Sequence, residues 1–435
     1  MPHSIFTTPN LTTFTGLDQL GLTAIGQRLT TVKAEILCKV TNPDPWCRTC
    51  GEAGVPRDTV TRRLAHAPFG WRPTTLIIRH RRYRCTTCQK VWREDLTGAA
   101  APRQKISYTG IHWALTGLVT QYLSVSRIAE GLGVTWNTAN DAVLAEGQRL
   151  LIDDPARFEG VTVLGVDEHV WRHTKTGDKY VTVIVDLTPV KNGTGPSRLL
   201  DMIPGRSKAV FKAWIAQRDE AWKQRIEVVA MDGFTGFKTA AVEELPQAVE
   251  VMDPFHVIKL ASETMDQTRQ RIQREEHGRR GRKEDPLYQC RRTLTTGLAF
   301  ATEKQKARLD DLFKNRKYES VQIVWSVYQR MVDAYRQEKP AVGRWALDQL
   351  IEEIGTSVPK GLPELKKLGG TLRRRKSDVL AYFDHVGSSN GPAEAINGRL
   401  EHLRGIVLGF KNLAHYIARS LLETGGFRPR LHPES

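Results

Sequence analysis

A chain of 435 residues is too long for one ordinary hydrophobic core, so two to four units of unequal size are expected. A content of 40% hydrophobic and 26% charged residues excludes a disordered chain. The 64 Lys+Arg against 48 Asp+Glu leave a formal charge of +16, which favours a polyanionic partner, nucleic acid ahead of anionic membrane.

Residues 1–35 carry a mild helical spacing, Leu17, Leu20, Leu22 and Ile25, to which no role can be assigned. The opening MPHSIFTTPNLTTF lacks the basic-then-apolar order of a signal peptide, and no apolar run reaches membrane-spanning length. The expectation is therefore no membrane partner and a cytoplasmic location.

Residues 36–100 hold two C-x-x-C pairs, Cys47 with Cys50 and Cys85 with Cys88, 34 residues apart. Two residues between cysteines let both thiolates reach one ion, and two such knuckles complete the four-sulfur shell of structural Zn²⁺. The long gap leaves room for a β-hairpin and also admits His66 or His80 as a substitute ligand. Free core cysteines or a redox pair are the rival readings. Between the knuckles, TTLIIRHRRYRC alternates apolar and basic residues as a half-exposed strand does, and Arg79, Arg81, Arg82 and Arg84 are candidate phosphate contacts or simply a solvated face.

Residues 101–155 change to helical spacing, with Ile111, Leu115, Leu118, Val119 and Tyr122 on one face. The stretch from Ser124 to Val143 reads as a short helix, a glycine turn and a second helix capped by Thr135. It resembles a helix-turn-helix unit, in which Asn137, Thr138 and Asn140 would face DNA; an ordinary helical hairpin is the alternative.

From residue 156 to 435 the pattern describes a mixed α/β domain. The segments VTVLGVDEHV, KYVTVIVDL after a Thr-Gly-Asp turn, SRLLDMI, IEVVAMD and AVEVMD read as five strands, with a helix through Val210. A basic helical insertion spans about 256–377 and includes HGRRGRK at 277–283 and Arg373, Arg374 and Arg375. Its Trp325, Tyr328 and Trp345 are either core or contacts to DNA ends.

Two of the strands end in acids, Asp167 and Asp232, and carboxylates at the ends of neighbouring strands can converge on a cation such as Mg²⁺. Glu394, in the first turn of a helix opened by Asn390-Gly391-Pro392, is the candidate third carboxylate. Glu401 lies two helical turns further on and is its main rival. Glu168, Asp186, Asp201 and Asp253 also compete, because acids commonly follow strands as turn or cap residues.

Together these motifs resemble the ISL-three family of insertion-sequence transposases. The resemblance rests on the cysteine pairs, Val166-Asp167-Glu168, Met231-Asp232-Gly233-Phe234, Asp253-Pro-Phe-His256-Val-Ile-Lys259, and Ser389-Asn390-Gly391 with Glu394 and Asn397. It covers nearly the whole chain. It implies a multidomain α+β protein: zinc ribbon, helix-turn-helix, and an RNase H-like domain whose Asp167, Asp232 and Glu394 bind two Mg²⁺ or Mn²⁺ ions. The expected partners are element terminal inverted repeats and target DNA, cut and joined by a homodimer or higher oligomer in a bacterial cytoplasm, associated with the nucleoid when on DNA. A catalytically inactive DNA-binding regulator and a nuclease without strand transfer are the alternatives.

Overall fold

The alternating segment before Cys85 is the strand Arg72–Cys85, paired along most of its length with a second long strand, Gly54–Phe69. In this computed structural model residues 8–173, 179–406 and 409–431 are described. They fall into two units, Met1–Arg157 with Ala414–Ser435, and Phe158–Leu413.

The first unit contains a mixed sheet of β1 (Leu22–Leu29), β2 (Ala34–Val40), β3 (Gly54–Phe69), β4 (Arg72–Cys85) and β5 (Val91–Arg93). The order is β1-β2-β4-β3, with β5 also on β4. The helical spacing over residues 17–25 is not realised. Leu17, Leu20 and Leu22 fill the core with Ile36, Leu64, Leu76 and Ile78, whereas Ile25 is exposed on β1. Pairing with β2 outweighs a weak local helical preference. Across a bulge in β3 between Pro56 and Asp58, the buried positions of β4 change from Ile78 and His80 to Tyr83 and Cys85.

Helices Tyr108–Thr120, Val125–Leu132 and Trp136–Gly147 follow, and the side chains of Ser107, Ser124 and Thr135 accept the first-turn amide hydrogen bonds. Gly133 ends the middle helix in the left-handed conformation, φ 65°. Ile111, Leu115, Leu118, Ile128, Leu132, Ala139 and Val143 are buried. Tyr122 departs from the expected apolar face: it lies beyond the helix end, at φ 56°, and is exposed.

The described residues from Ala414 to Leu431 cluster with this unit. Leu422, on the helix Leu413–Thr424, packs so closely on Gly147 that a Cβ there would meet it at 2.8 Å. Arg430 donates to the Leu150 carbonyl at 3.2 Å.

The second unit is built on β6 (Val163–Val170), β7 (Tyr180–Asp186), β8 (Arg198–Pro204), β9 (Val228–Met231) and β10 (Val249–Met252), in the order β10-β9-β6-β7-β8. β6, β7 and β8 are antiparallel, whereas β9 runs parallel to β6 and β10 parallel to β9. β6 is central and β9 lies beside it, which explains their uninterrupted apolar runs. Phe211, Trp214 and Phe237, from the helices Lys208–Ala216 and Thr235–Glu244, pack with Leu164, Val166 and Ile184. The Thr-Gly-Asp turn expected between β6 and β7 lies outside the described residues.

After β10 the chain is helical through Pro254–His277, Glu303–Phe313, Glu319–Tyr335, Pro340–Thr356, Pro363–Arg374 and Lys376–Asp384. This block has its own core, including Met265, Val321, Val324, Met331, Leu347, Ile351 and Leu372. Tyr328 is buried and donates to the Thr295 carbonyl at 2.8 Å, Trp325 is partly buried, and Trp345 is exposed. Among the described residues no helix is long and apolar enough to cross a membrane.

Candidate active site and metal centres

Register places three acids side by side. Val166 pairs with Met231, and Met231 with Met252, in three adjacent parallel strands. One residue further along each strand stand Asp167, Asp232 and Asp253. Asp167 lies within β6, which continues to Val170 instead of ending in the acid, whereas Asp232 and Asp253 directly follow β9 and β10; the register puts the three at one level of the sheet.

Asp167 is 6% exposed. Its Oδ1 accepts the Glu168 amide at 2.8 Å, and its Oδ2 accepts the Asn397 side-chain amide at 2.9 Å. Burial pushes its carboxyl up to about 7, and the negative charges of Asp232 and Glu394 act in the same sense. Asp232 is half-buried, and its Oδ1 accepts the Phe234 amide at 2.8 Å.

The helix Gly391–Ile406 carries Glu394 in its first turn and Asn397 one turn later. The Asn390 amide donates to Asp253 Oδ1 at 2.7 Å, and the Asn390 side chain donates to the Val166 carbonyl at 3.3 Å. Asp253 thus fixes the start of this helix while capping Pro254–His277, where the His256 amide donates to Oδ2 at 3.3 Å. The His256 ring Nδ1 faces the same oxygen at 3.4 Å. That contact, with the charges of Asp232 and Asp167, raises the imidazole above its ordinary range.

Asp253, His256 and Glu394 each offer a ligand atom within 4.8 Å of the others. The rival carboxylate, Glu401, is exposed, ion-paired with Arg404 and 3.9 Å from His169 Nε2. The other competing acids have structural partners: Asp186 with Arg198, Asp201 with the Trp214 indole, and Glu168 with Arg206. Pattern alone gives His256, Asn390 and Asn397 no site role of their own. The Asp-Pro-x-His spacing, a helix cap that turns a histidine back toward its own capping carboxylate, was the available signal.

The four paired cysteines form a second cluster. The sulfur of Cys47 is 3.5 Å from that of Cys88, and the sulfur of Cys50 is 3.4 Å from Cys85. Backbone amides of Cys50 and Thr49 hold the Cys47 thiol down to about 6, and the Cys88 amide lowers Cys85. Four converging sulfurs, with the thiolates of Cys47 and Cys85 favoured by amides, fit a tetrahedral Zn²⁺ site. His66 and His80 are not part of this cluster: His66 is buried against Ser107 Oγ at 2.8 Å, and His80 is buried on β4.

Of the expected DNA-facing residues, Arg79, Arg81 and Arg84 are exposed, whereas Arg82 is paired with Asp58 on β3. Asn137 is exposed, and Thr138 shares a 2.9 Å hydrogen bond with Thr135. Asn140 is a correction: at 3% exposure it lies on the buried side of its helix with Ala139 and Val143, and so cannot face a base. Arg373 and Arg374 are exposed. Arg375 is a second correction: at 8% exposure it pairs with Asp378 and donates to the Gly233 carbonyl at 3.0 Å, so its charge is used inside the protein.

A family model described as a transposase, that of the ISL3 group, matches residues 164–420, more than half of the chain. The chain belongs to the ISL3 transposase family. It is similar to the transposase for insertion sequence element IS1557 of Mycobacterium tuberculosis, 26% identical over 341 residues that cover 72% of each chain. It is also similar to the transposase for insertion sequence element IS1001 of Bordetella parapertussis, 24% identical over 385 residues, 86% of this chain and 87% of that one. As an insertion-sequence transposase it acts on DNA, in keeping with its +16 charge.

Proposed function

We propose that this transposase cuts and joins DNA at an RNase H-like centre formed by Asp167, Asp232 and Glu394. The supporting observations are the register that aligns Asp167 with Asp232, and a helix start pinned to Asp253 that sets Glu394 within 4.8 Å of Asp253 and His256 and near enough for its charge to act on Asp167. The carboxylate and amide-oxygen donor set suits Mg²⁺ or Mn²⁺, and the Asn397 amide oxygen has no hydrogen-bond partner. Two such cations, when bound, would activate the attacking oxygen and stabilise the leaving one in an in-line displacement.

The protein's own part is positioning. Asn397 orients the Asp167 carboxylate, and Asp253 sets the approach of the Glu394 helix. No side chain serves as a covalent nucleophile in this scheme.

Around this centre we assign a Zn²⁺ ribbon to Cys47, Cys50, Cys85 and Cys88. The helices Val125–Leu132 and Trp136–Gly147 form a helix-turn-helix that reads the terminal inverted repeats through Asn137 and Thr138. Arg79, Arg81, Arg84, Arg373 and Arg374 contact phosphate, and two DNA ends are held by a homodimer or larger assembly. Alanine at Asp167, Asp232 or Glu394 is expected to abolish metal-dependent cleavage and joining of DNA that carries the element ends, while DNA binding persists. Cleavage that survives Glu394→Ala and disappears in Glu401→Ala would move the third carboxylate to Glu401. Cleavage without joining would indicate a nuclease.

A further inference from the structure

His256 stands beside the proposed catalytic carboxylates without a role in the scheme above, and Asp253 has only that of setting the approach of the Glu394 helix. Asp253 is almost fully buried, and both of its oxygens are engaged: Oδ1 by the Asn390 amide at 2.7 Å, Oδ2 by the His256 amide at 3.3 Å and the ring Nδ1 at 3.4 Å. A capping role alone explains the backbone contact. It does not require a histidine at the third helical position, with its ring turned back onto the capping carboxylate.

A carboxylate on one ring nitrogen of an imidazole is the arrangement that fixes ring orientation and tautomer for a metal on the other nitrogen. The neighbourhood supports such a role, because ligand atoms of Asp253, His256 and Glu394 lie within 4.8 Å of one another. Asp253 also reaches both helices concerned, since it caps the one that carries His256 and binds the first residues of the one that carries Glu394.

We propose that His256 is a further ligand at the catalytic cation site, bound through the ring nitrogen not turned to Asp253, with Asp253 as the residue that positions it. This rests on the carboxylate-centre reading above. A nitrogen donor changes the metal preference of an otherwise all-oxygen site: Mg²⁺, the harder ion and the more reluctant to dehydrate, gains less from an imidazole nitrogen than Mn²⁺ does, although both favour oxygen. His256 then favours Mn²⁺ over Mg²⁺ without being needed for the underlying carboxylate chemistry.

The test is Mn²⁺ binding to the full-length, zinc-loaded protein without DNA, followed by the loss of the free hexaaqua Mn²⁺ signal in electron paramagnetic resonance, with Mg²⁺ as competitor. His256→Ala is expected to weaken Mn²⁺ binding roughly tenfold or more while changing the Mg²⁺ competition constant less than threefold, since even the partners that orient metal ligands typically contribute about ten- to a hundredfold in affinity. Asp253→Asn is expected to weaken Mn²⁺ binding in the same direction by a smaller factor. Should His256→Ala melt more than a few degrees below wild type, His256→Gln, which keeps side-chain bulk but offers no imidazole nitrogen, is measured instead with the same expectation.

Wild-type Mn²⁺ affinity in the His256 variants, with affinity lost in Asp232→Ala and Glu394→Ala, would overturn the histidine ligand and leave the carboxylate centre standing. Wild-type affinity in all of these variants would overturn both. An equal loss of Mn²⁺ and Mg²⁺ binding in the His256 variants would also overturn the proposal, because a nitrogen ligand discriminates between the two ions.

Discussion

The side-chain amide of Asn397 donates to Oδ2 of Asp167 at 2.9 Å, across 230 positions of sequence. One turn of helix separates Asn397 from Glu394, so this contact ties the third proposed carboxylate to the first. Removing a hydrogen bond to a carboxylate typically costs about 1.5–3 kcal/mol. We expect Asn397→Ala to lower the single-turnover cleavage rate roughly ten- to hundredfold, with a loss of folding stability no larger than that one hydrogen bond. A wild-type cleavage rate would show that Asp167 needs no such partner.

Arg375 illustrates a basic residue whose charge is spent internally. Asp378 is 1% exposed and takes both Arg375 and Lys238, the latter at 2.6 Å. Arg375→Ala leaves a buried carboxylate short of a partner, and we expect a loss of about 3–5 kcal/mol in denaturant unfolding of the second unit. Arg374→Ala, at an exposed position, is expected to leave stability unchanged and to weaken DNA binding with a shallower salt dependence. The opposite assignment of the two phenotypes would reverse this reading.

The thiol cluster predicts one tightly bound Zn²⁺ per chain, countable by native mass spectrometry. Chelation, or Cys85→Ser with Cys88→Ser, is expected to remove it and to destabilise the hairpin of β3 and β4, whose ends the cluster joins. The loss should be visible as faster amide exchange in residues 54–85, and unchanged exchange in the zinc-free protein would count against a structural metal.

Asp285 provides a pH-dependent test away from the metal centres. Arg279, bound at 2.8 and 3.0 Å, and the Arg282 amide hold its carboxyl down to about 2, against 3.8 in an unfolded chain. A lowered folded value means that this stabilisation is present above pH 3.8 and is lost as pH falls toward about 2. Wild type should therefore be more stable than Asp285→Asn near neutral pH, and the difference should shrink below about pH 4. A pH-independent difference would mean that the charge of Asp285 contributes nothing.

Much of the architecture follows from local pattern. Three strands of the second unit, β6, β7 and β9, appear as apolar runs because they are buried on both faces. The helical starts at Ser107, Ser124 and Thr135 are written in their capping hydroxyls, and the cysteine spacing announces its own cluster. Residues 22–29 were illegible because their apolar spacing is weak, and only pairing with β2 makes them a strand.

Sequence by itself determined which residue types were available: acids at strand ends, paired cysteines, and an excess of arginine. Tertiary structure decided which of them meet. Strand register aligned Asp253 with Asp167 and Asp232, a relation invisible in a chain where 85 residues separate the first from the second of these named. Folding likewise buried Arg375 and Asn140 among neighbours far from them or on the inward side of a helix, while leaving Arg374 and Asn137 in solvent. Identical side chains in adjacent positions acquire different work because a helix turns each residue by about 100° from the last, and only packing selects the face that meets water.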